Sequence, residues 1–290
     1  MHPAYIARTA LVLTALVSCH ALDAVIGPPQ RVFDTATGEE HSLDELAADL
    51  ARFDVVFLGE EHDNDVGHVL QLAMVERLHE LRPHMTISLE MFERDVQGVL
   101  DDYLAGRIDE VTFLDNSRPW PNYEQHYRPV VEFARRHGLP VLAGNIPRRL
   151  ARTVAYEGLD AVQGLPYVPR HTDVNEPEYM ANFARAMGVH GPTDTNGLAN
   201  WFAAQCIKDA TMAESIADHV LRSRADPPLV VHLCGRFHSD AGLGTVSRLH
   251  GLLPGLKLAV ICTDSSSWRA REPNEEERGW GRYIWRVRPQ

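Results

Sequence analysis

Two stretches far apart in the chain share one pattern, and together they restrict the fold more than any other feature. Residues 55–58 are apolar and lead into Gly-Glu-Glu-His at 59–62, whereas the largely apolar residues 229–234 lead into Gly-Arg-Phe-His at 235–238. Short apolar runs of this kind are typical of buried parallel strands. In an open α/β sheet, ligands bind at the carboxyl ends of the strands. We therefore expect the fold to bring both Gly-x-x-His segments to one edge of a sheet.

The remainder of the chain alternates between helix and strand patterns. Residues 65–81 carry apolar side chains at helical spacing, and residues 86–90 form the next apolar run. A strand, a helix and a second strand make the crossover unit of a parallel sheet. The sequence thus predicts an α/β fold with a mostly parallel central sheet flanked by helices. Residues 283–287 are predicted to close this sheet as a short edge strand.

We predict one domain over residues 31–290 with two helical additions. The first is an insertion at about 93–138, where the pattern is mostly helical around an aromatic, proline-marked loop. The second is a lid at about 163–197, a segment interrupted by prolines and glycines that carries one amphipathic helix.

Polar side chains follow several of the predicted strands. Glu60 and His62 follow the first Gly-x-x-His strand, Glu90 ends the next strand, and His238 follows the last. Two carboxylates and two imidazoles in one crevice can bind a divalent metal ion or perform acid/base catalysis. Arg148, behind a further strand, could hold a carboxylate or phosphate. The alternatives are that Glu60 or its neighbour caps a helix and that His238 is a hydrogen-bonded core histidine.

The first residues have the features of an export signal rather than of a domain. A short positive head and a short apolar run lead into Leu-Val-Ser-Cys at 16–19, which has the form of a bacterial lipobox. We predict a lipoprotein signal peptide at 1–18, lipidation of Cys19, and a linker at 19–30. Acyl chains would anchor the protein to a membrane without a spanning segment. The alternative is an ordinary cleaved signal.

Charge and cysteine content exclude other classes. The net charge is -12 and no basic stripe is present, so the chain is a poor candidate for binding nucleic acid. The three remaining cysteines, Cys206, Cys234 and Cys262, show no Cys-x-x-Cys spacing. We expect buried free thiols; a disulfide between Cys234 and Cys262 is the alternative.

Several segments of the chain, taken together in order, resemble one known family. They are Gly-Glu-Glu-His-Asp-Asn at 59–64, Leu-Glu-Met-Phe-Glu-Arg at 89–94, Asn-Ile-Pro-Arg at 145–148, and Gly-Arg-Phe-His at 235–238, with Gln97, Trp120, Tyr123, Tyr127, Gln205, Asp209 and Met212-Ala213 between them. This combination is similar to the ChaN-like haem-binding bacterial lipoproteins over about residues 30–290. The family usually has a small residue where Arg236 stands. More distantly, the chain resembles the Tiki and TraB proteins and erythromycin esterase.

The resemblance implies a haem-binding lipoprotein that takes part in haem and iron uptake. It implies export, a lipid anchor in the outer membrane facing the periplasm, and an outer-membrane haem receptor as partner. It also implies a homodimer that holds haem as a cofacial pair with tyrosine ligation. Tyr179 is our candidate ligand, and His171 and Arg148 are further candidate haem-binding residues. The alternatives are a hydrolase that uses Glu60, His62, Glu90 and His238, and a periplasmic scaffold protein.

Overall fold

The computed structural model describes residues 31–188, 195–223 and 226–289. The predicted signal peptide, the lipidation site Cys19 and the linker lie outside the described residues. In the described part of the chain, no helix is both long and apolar enough to cross a membrane.

One sheet forms the centre of the domain. Its strands are β1 (Arg31–Asp34), β2 (Glu40–His41), β3 (Val55–Glu60), β4 (Met85–Glu93), β5 (Val141–Asn145), β6 (Leu229–Gly235), β7 (Leu258–Asp264) and β8 (Tyr283–Arg286).

Helices connect most of the strands. They are α1 (Leu43–Leu50), α2 (Asp65–Leu81), α3 (Gln97–Leu104), α4 (Glu110–Ser117), α5 (Arg128–His137), α6 (Arg148–Glu157), α7 (Pro177–Ala186), α8 (Thr195–Arg222) and α9 (Thr245–Leu252). One turn of π-helix, Tyr123–Tyr127, leads directly into α5.

The strand order confirms the predicted α/β class. Within the described residues the order is β2-β1-β8-β7-β3-β6-β4-β5, and the six strands from β8 to β5 run parallel. Only the β1–β2 ribbon at one end pairs antiparallel. The two Gly-x-x-His strands, β3 and β6, are direct neighbours, and Glu60 lies opposite Gly235.

The prediction of an edge position for the last strand was wrong. β8 lies between β7 and β1, where Val32 pairs with Trp285 and Phe33 with Ile284. All four residues of β8 are buried. The N-terminal strand β1 pairs with β8 and so covers the edge that β8 would otherwise leave free. This pairing joins the two ends of the described chain, and no local sequence pattern indicates it.

Alternating side chains of the central strands pack against helices on both faces of the sheet. On β3, Val56 and Leu58 belong to a core cluster that includes residues of α1, α2 and α3. Val55 and Phe57 belong to a second cluster that is formed with α8 and α9. Successive side chains of a strand point to opposite faces, so a strand that is apolar at every position is buried on both. This arrangement leaves the carboxyl ends of the strands as the accessible edge.

Helix α7 lies in the segment that we predicted as a lid. Its buried residues, Tyr179 and Phe183, pack against Phe202 of α8 and against Phe237, which follows β6. These contacts seat α7 next to the second Gly-x-x-His segment.

Candidate functional site

The strand order brings the predicted polar residues to one cavity. β3, β6, β4 and β5 are consecutive in the sheet, and their carboxyl ends border a cavity of about 400 Å³. His62, Glu90, Arg148 and His238 line it. Glu60 lies buried directly behind His62.

His62 is held by a buried carboxylate. Its Nδ1 lies 2.8 Å from Oε1 of Glu60, which also accepts a 2.6 Å hydrogen bond from the hydroxyl of Tyr127. The other carboxylate oxygen accepts from Gln71 at 2.7 Å. Burial by itself lowers the pKa of His62, but the hydrogen bond to Glu60 and the charge of Glu90 outweigh it and raise that pKa. The Nε2 atom forms no hydrogen bond with any described residue.

Gly235 allows the His62 ring to lie where it does. A Cβ atom at position 235 would lie 2.7 Å from Nε2 and 2.8 Å from Cε1 of His62, closer than real Cβ contacts. The backbone conformation at Gly235 (φ -55°) suits any residue, so the requirement for glycine is steric. The absence of a side chain at the end of β6 therefore makes room for the imidazole at the end of β3.

A second buried network lies at the ends of β4 and β6. Nε2 of His238 is 3.2 Å from Oε1 of Glu90, and its Nδ1 is 2.7 Å from Oδ1 of Asp209 on α8. Glu90 also accepts a 2.8 Å hydrogen bond from the Gly235 N–H. Burial disfavours both charges, but the two carboxylates raise the pKa of His238 to about 10. His238 in turn holds the pKa of Glu90 well below its usual range despite burial.

Tyr179 belongs to this network rather than to the cavity wall. Its hydroxyl donates to Oδ2 of Asp209 at 2.8 Å, and its ring stacks on Phe237. The side chain is 1% exposed, and burial with the nearby Asp209 raises its pKa far above the ordinary value. The predicted haem ligand thus has its hydroxyl turned inward, towards a buried carboxylate.

One wall of the cavity is apolar. Ile146, Phe183, Met187 and Phe237 contribute to it, and Met187 is 45% exposed. On another side Trp120 meets His62 edge to face, with ring centroids 5.0 Å apart.

Two cations border the same cavity without a partner. Arg148 at the start of α6 is exposed, and Lys208 of α8 is half-buried. Neither forms a hydrogen bond or ion pair with another described residue. Many other arginines of this acidic chain do form ion pairs, for example Arg94 with Glu214. Glu90 and Glu93 also line the cavity, but they pair with His238 and Arg118, so Arg148 and Lys208 are available to an anionic ligand.

The predicted residues do not all meet. His171 lies apart, in a separate cavity of about 430 Å³ bordered by Arg170, Glu176 and Arg248. The four residues proposed to bind a divalent metal do converge, but mainly as hydrogen-bonded acid–histidine pairs. In the part of the chain that the structure describes, no group of three or more His, Cys, Asp or Glu side chains is placed to hold a metal ion. The divalent-metal prediction is therefore unsupported.

The alternatives considered for single residues are resolved by the contacts. Asn64, and not Glu60 or Glu61, caps α2 by accepting from the Gly67 N–H. His238 is indeed a buried, hydrogen-bonded histidine. The cysteines at 206, 234 and 262 are buried free thiols, as expected, so no disulfide joins Cys234 to Cys262.

Sequence reasoning assigned no role to several residues that build the site. Asp209 and Gln205 are one helical turn apart on α8, and Gln205 lies 3.2 Å from the His238 ring. The sequence could have indicated Asp209 as a site residue, because it is an acid within the apolar face of a long helix. An acid in such a position requires buried partners. For Tyr127 and Lys208 no local signal distinguishes a site residue from an ordinary helix residue.

Comparisons with known proteins agree with this architecture. A family model described as haem-binding uptake, Tiki superfamily, ChaN matches residues 46–249. The structure of ChaN of Campylobacter jejuni with cofacially bound haem superposes with a TM-score of 0.69 at 16% identity, over 90% of this chain and 97% of that one. An erythromycin esterase superposes with a TM-score of 0.47 at 12% identity, over 81% of this chain and 76% of that one. The family model does not favour the hydrolase alternative.

A curated relative comes from a plant. Protein RETICULATA-RELATED 5, chloroplastic, of Arabidopsis thaliana is 25% identical over an alignment of 242 residues, and the match covers 76% of this chain. The chain spans about a third (32%) of the length of that relative.

Proposed function

We propose that this chain, which belongs to the haem-binding uptake family ChaN of the Tiki superfamily, binds haem in the cavity at the carboxyl ends of β3 to β6. Haem presents an apolar macrocycle, an iron that accepts an axial donor, and two anionic propionates. A site for it needs an apolar wall, a donor atom and cations.

The observation that carries the proposal is the composition of the cavity lining. Phe183, Phe237 and Met187 supply an apolar wall, and Arg148 and Lys208 supply two unpaired cations. An apolar wall that includes the exposed Met187, with cations beside it, suits a ligand that is both apolar and anionic. The residues present therefore fit haem.

Each group has a distinct part in binding. The apolar wall excludes water from one face of the macrocycle. Arg148 and Lys208 would attract the propionates, which would supply the partners that the described residues do not provide. Bound haem would supply a redox-active iron. Haem uptake requires that the protein store the bound haem or deliver it.

Titration of the purified full chain with haemin tests the proposal. We expect a shifted Soret band that saturates at a fixed stoichiometry. A featureless titration that never saturates contradicts haem binding. The same titration with haemin dimethyl ester, which lacks the propionate charges, isolates the contribution of the cations.

Charge-removing variants extend this test. Arg148→Ala and Lys208→Ala should each weaken haemin binding roughly two- to fivefold, the range of a solvent-accessible ion pair. Both should leave binding of the dimethyl ester unchanged. Arg152→Ala is the matched control, because Arg152 lies on the same helix, is exposed and does not line the cavity. Equal losses for haemin and its ester would contradict propionate recognition.

We further propose that the chain is exported, lipid-anchored at Cys19 in the outer membrane facing the periplasm, and active in haem uptake with a haem receptor. The support is the export signal followed by the lipobox sequence at 16–19. Fractionation of cells that express wild type or Cys19→Ser tests the anchor. We expect wild type in the outer-membrane fraction and the variant in the soluble periplasm; an unchanged distribution would exclude lipidation at this residue.

We also propose that two copies associate on haem. Among the described residues between positions 156 and 201, six large apolar side chains are exposed, including Met187 at the cavity: Tyr156, Leu165, Tyr167, Val174, Met187 and Trp201. Light scattering with and without haemin measures the mass. We expect a doubling on haem addition, and a monomeric haem complex would contradict association.

A further inference from the structure

Helix α7 contributes to the walls of two cavities. Phe183 and Ala186, in its last turn, and Met187, just after it, line the cavity that we propose for haem. Glu176, which precedes its first turn, lines the second cavity of about 430 Å³. A displacement of this one helix would therefore change both cavities.

The helix is lightly packed against the rest of the domain. Two of its ten residues, Tyr179 and Phe183, are buried, whereas α2 buries nine of its seventeen. The two side chains belong to a small cluster with Phe202 and Cys206 of α8, apart from the two clusters that pack on the sheet. A helix of ten residues is marginal on its own in water, and an element with little buried apolar surface opens at low cost. The docking of α7 therefore depends on its polar contacts as well.

An ion pair at the start of α7 supplies such a contact. Glu176 holds the N-cap position, but its side chain is directed to α9. Its carboxylate accepts one 2.8 Å hydrogen bond from the Ser247 hydroxyl and another from Nη1 of Arg248. Nη2 of Arg248 donates to the carbonyl oxygen of Asp173, in the segment that leads into α7. We call Glu176, Ser247 and Arg248 the clasp.

The clasp is largely shielded from water. The side chain of Arg248 is 9% exposed and that of Glu176 is 20% exposed, so the pair is screened less than one on the surface. The guanidinium carbon of Arg248 also lies 5.7 Å from the centroid of the Tyr179 ring. Arg248 thus contacts the segment before α7, its N-cap residue and its buried tyrosine, so loss of the clasp weakens all three attachments.

We infer that α7 is a lid over the cavity proposed for haem, and that the clasp sets how often this lid opens. The inference rests on the proposed haem-binding function and specifies how the ligand enters and leaves the same site. When α7 is docked, Phe183 and Met187 complete the apolar wall of the cavity. When α7 undocks, that wall is withdrawn and the macrocycle can pass. Opening of such lids sets the rates of many binding and release steps.

A lid has a kinetic signature that a fixed wall lacks. Weakening the clasp increases the time that α7 spends undocked, so the ligand should both enter and leave faster. As long as the docked form remains the more populated one, the apparent affinity falls by less than about twofold. Loss of a contact in a fixed wall would instead raise the dissociation rate alone.

Hydrogen exchange of the haem-free full chain tests the clasp without any ligand. Glu176→Ala should speed exchange of the α7 amides at least about tenfold, because a hydrogen bond to a charged group is lost. The amides of β3 should keep their wild-type rates. Ser247→Ala keeps the ion pair and should give a smaller rise, roughly threefold, which remains measurable if Glu176→Ala does not fold.

Glu40→Ala is the matched control for the exchange experiment. Glu40 also accepts two hydrogen bonds, both from Arg31, but it lies on β2, at the end of the sheet away from the cavity. We expect wild-type exchange of the α7 amides in this variant.

Stopped-flow mixing with haemin then measures association, and transfer of bound haem to excess apomyoglobin measures dissociation. Glu176→Ala should raise both rates, by up to about tenfold, while its equilibrium affinity for haemin stays within about twofold of wild type. Glu40→Ala should change neither rate.

The outcomes separate the two proposals. If wild type shows no saturable haemin binding, the proposed function fails, whereas faster α7 exchange in Glu176→Ala would still support the clasp. If wild type binds haemin but Glu176→Ala shows wild-type α7 exchange, or a raised dissociation rate alone, haem binding stands and the lid is overturned.

Discussion

Replacing Gly235 by alanine would test the local geometry of the site with a single added methyl group. The new Cβ would lie 2.7 Å from Nε2 and 2.8 Å from Cε1 of His62, and 3.6 Å from Oε2 of Glu90. The first two distances are below the 3.0 Å that real Cβ contacts essentially never violate. Either the His62 ring or the β6 backbone must move.

The structure indicates which of the two moves. The β6 backbone at Gly235 is held by its hydrogen bond to Glu90 and by pairing with β3. The His62 side chain is 41% exposed and can swing into the cavity. Swinging breaks its hydrogen bond to Glu60, and a bond to a charged group contributes about 1.5–3 kcal/mol.

Backbone entropy offsets part of this loss. Alanine at a position with ordinary φ stabilises a protein by about 0.4–1 kcal/mol through the unfolded state. The net destabilisation should therefore be about 0.5–2.6 kcal/mol by difference. Haemin affinity should also fall, because the displaced imidazole occupies part of the cavity that we propose for haem.

Urea unfolding and haemin titration of the same variant measure both effects. Gly98→Ala is the matched control: it lies in α3, and an added Cβ meets no atom within 4 Å. We expect that control to be as stable as wild type or up to about 1 kcal/mol more stable, with unchanged haem binding. A Gly235→Ala protein with wild-type stability and wild-type haemin affinity would refute the steric argument.

Three further predictions follow from the buried networks. Tyr127→Phe leaves the carboxylate of Glu60 one donor short and should lower the free energy of unfolding by about 1–3 kcal/mol in urea. His238 has a folded pKa of about 10 against an ordinary 6.5, so the stability it provides is complete below pH 6.5 and is lost as the pH rises towards 10. Above pH 6.5, the free energy of unfolding of wild type should fall with pH more steeply than that of His238→Gln, by up to about 1.4 kcal/mol per pH unit. Urea unfolding at several pH values measures both slopes, and equal slopes would contradict this prediction. Gly59→Ala would place a Cβ 3.1 Å from the backbone of Arg236, which cannot swing away, so we expect about 1–3 kcal/mol of destabilisation by overpacking. A wild-type urea midpoint for that variant would show that the β3 end is less tightly packed than the distances indicate.

Local patterns in the sequence determined most of the secondary structure. The apolar periodicity at 65–81 predicted α2 with its observed bounds, and the Ser-x-x-Glu spacing of Ser42 and Glu45 is the local pattern of the capping box that starts α1. Both features depend on residues within about one helical turn of each other, so the local sequence predicts them without knowledge of the tertiary structure. The convergence of the two Gly-x-x-His segments was also predictable, because parallel strands expose their carboxyl ends at one edge.

Only the tertiary structure decided which polar groups pair and which remain free. Tyr179 turned out to face Asp209, thirty positions along the chain. His171 lies in a different cavity, and β8 acquired a partner from the opposite end of the described chain. These outcomes depend on strand order and helix docking, which bring together residues that share no local pattern. The same long-range packing gives Arg148 and Lys208 no hydrogen-bond or ion-pair partner among the described residues, and it places both cations at the cavity that we propose for haem.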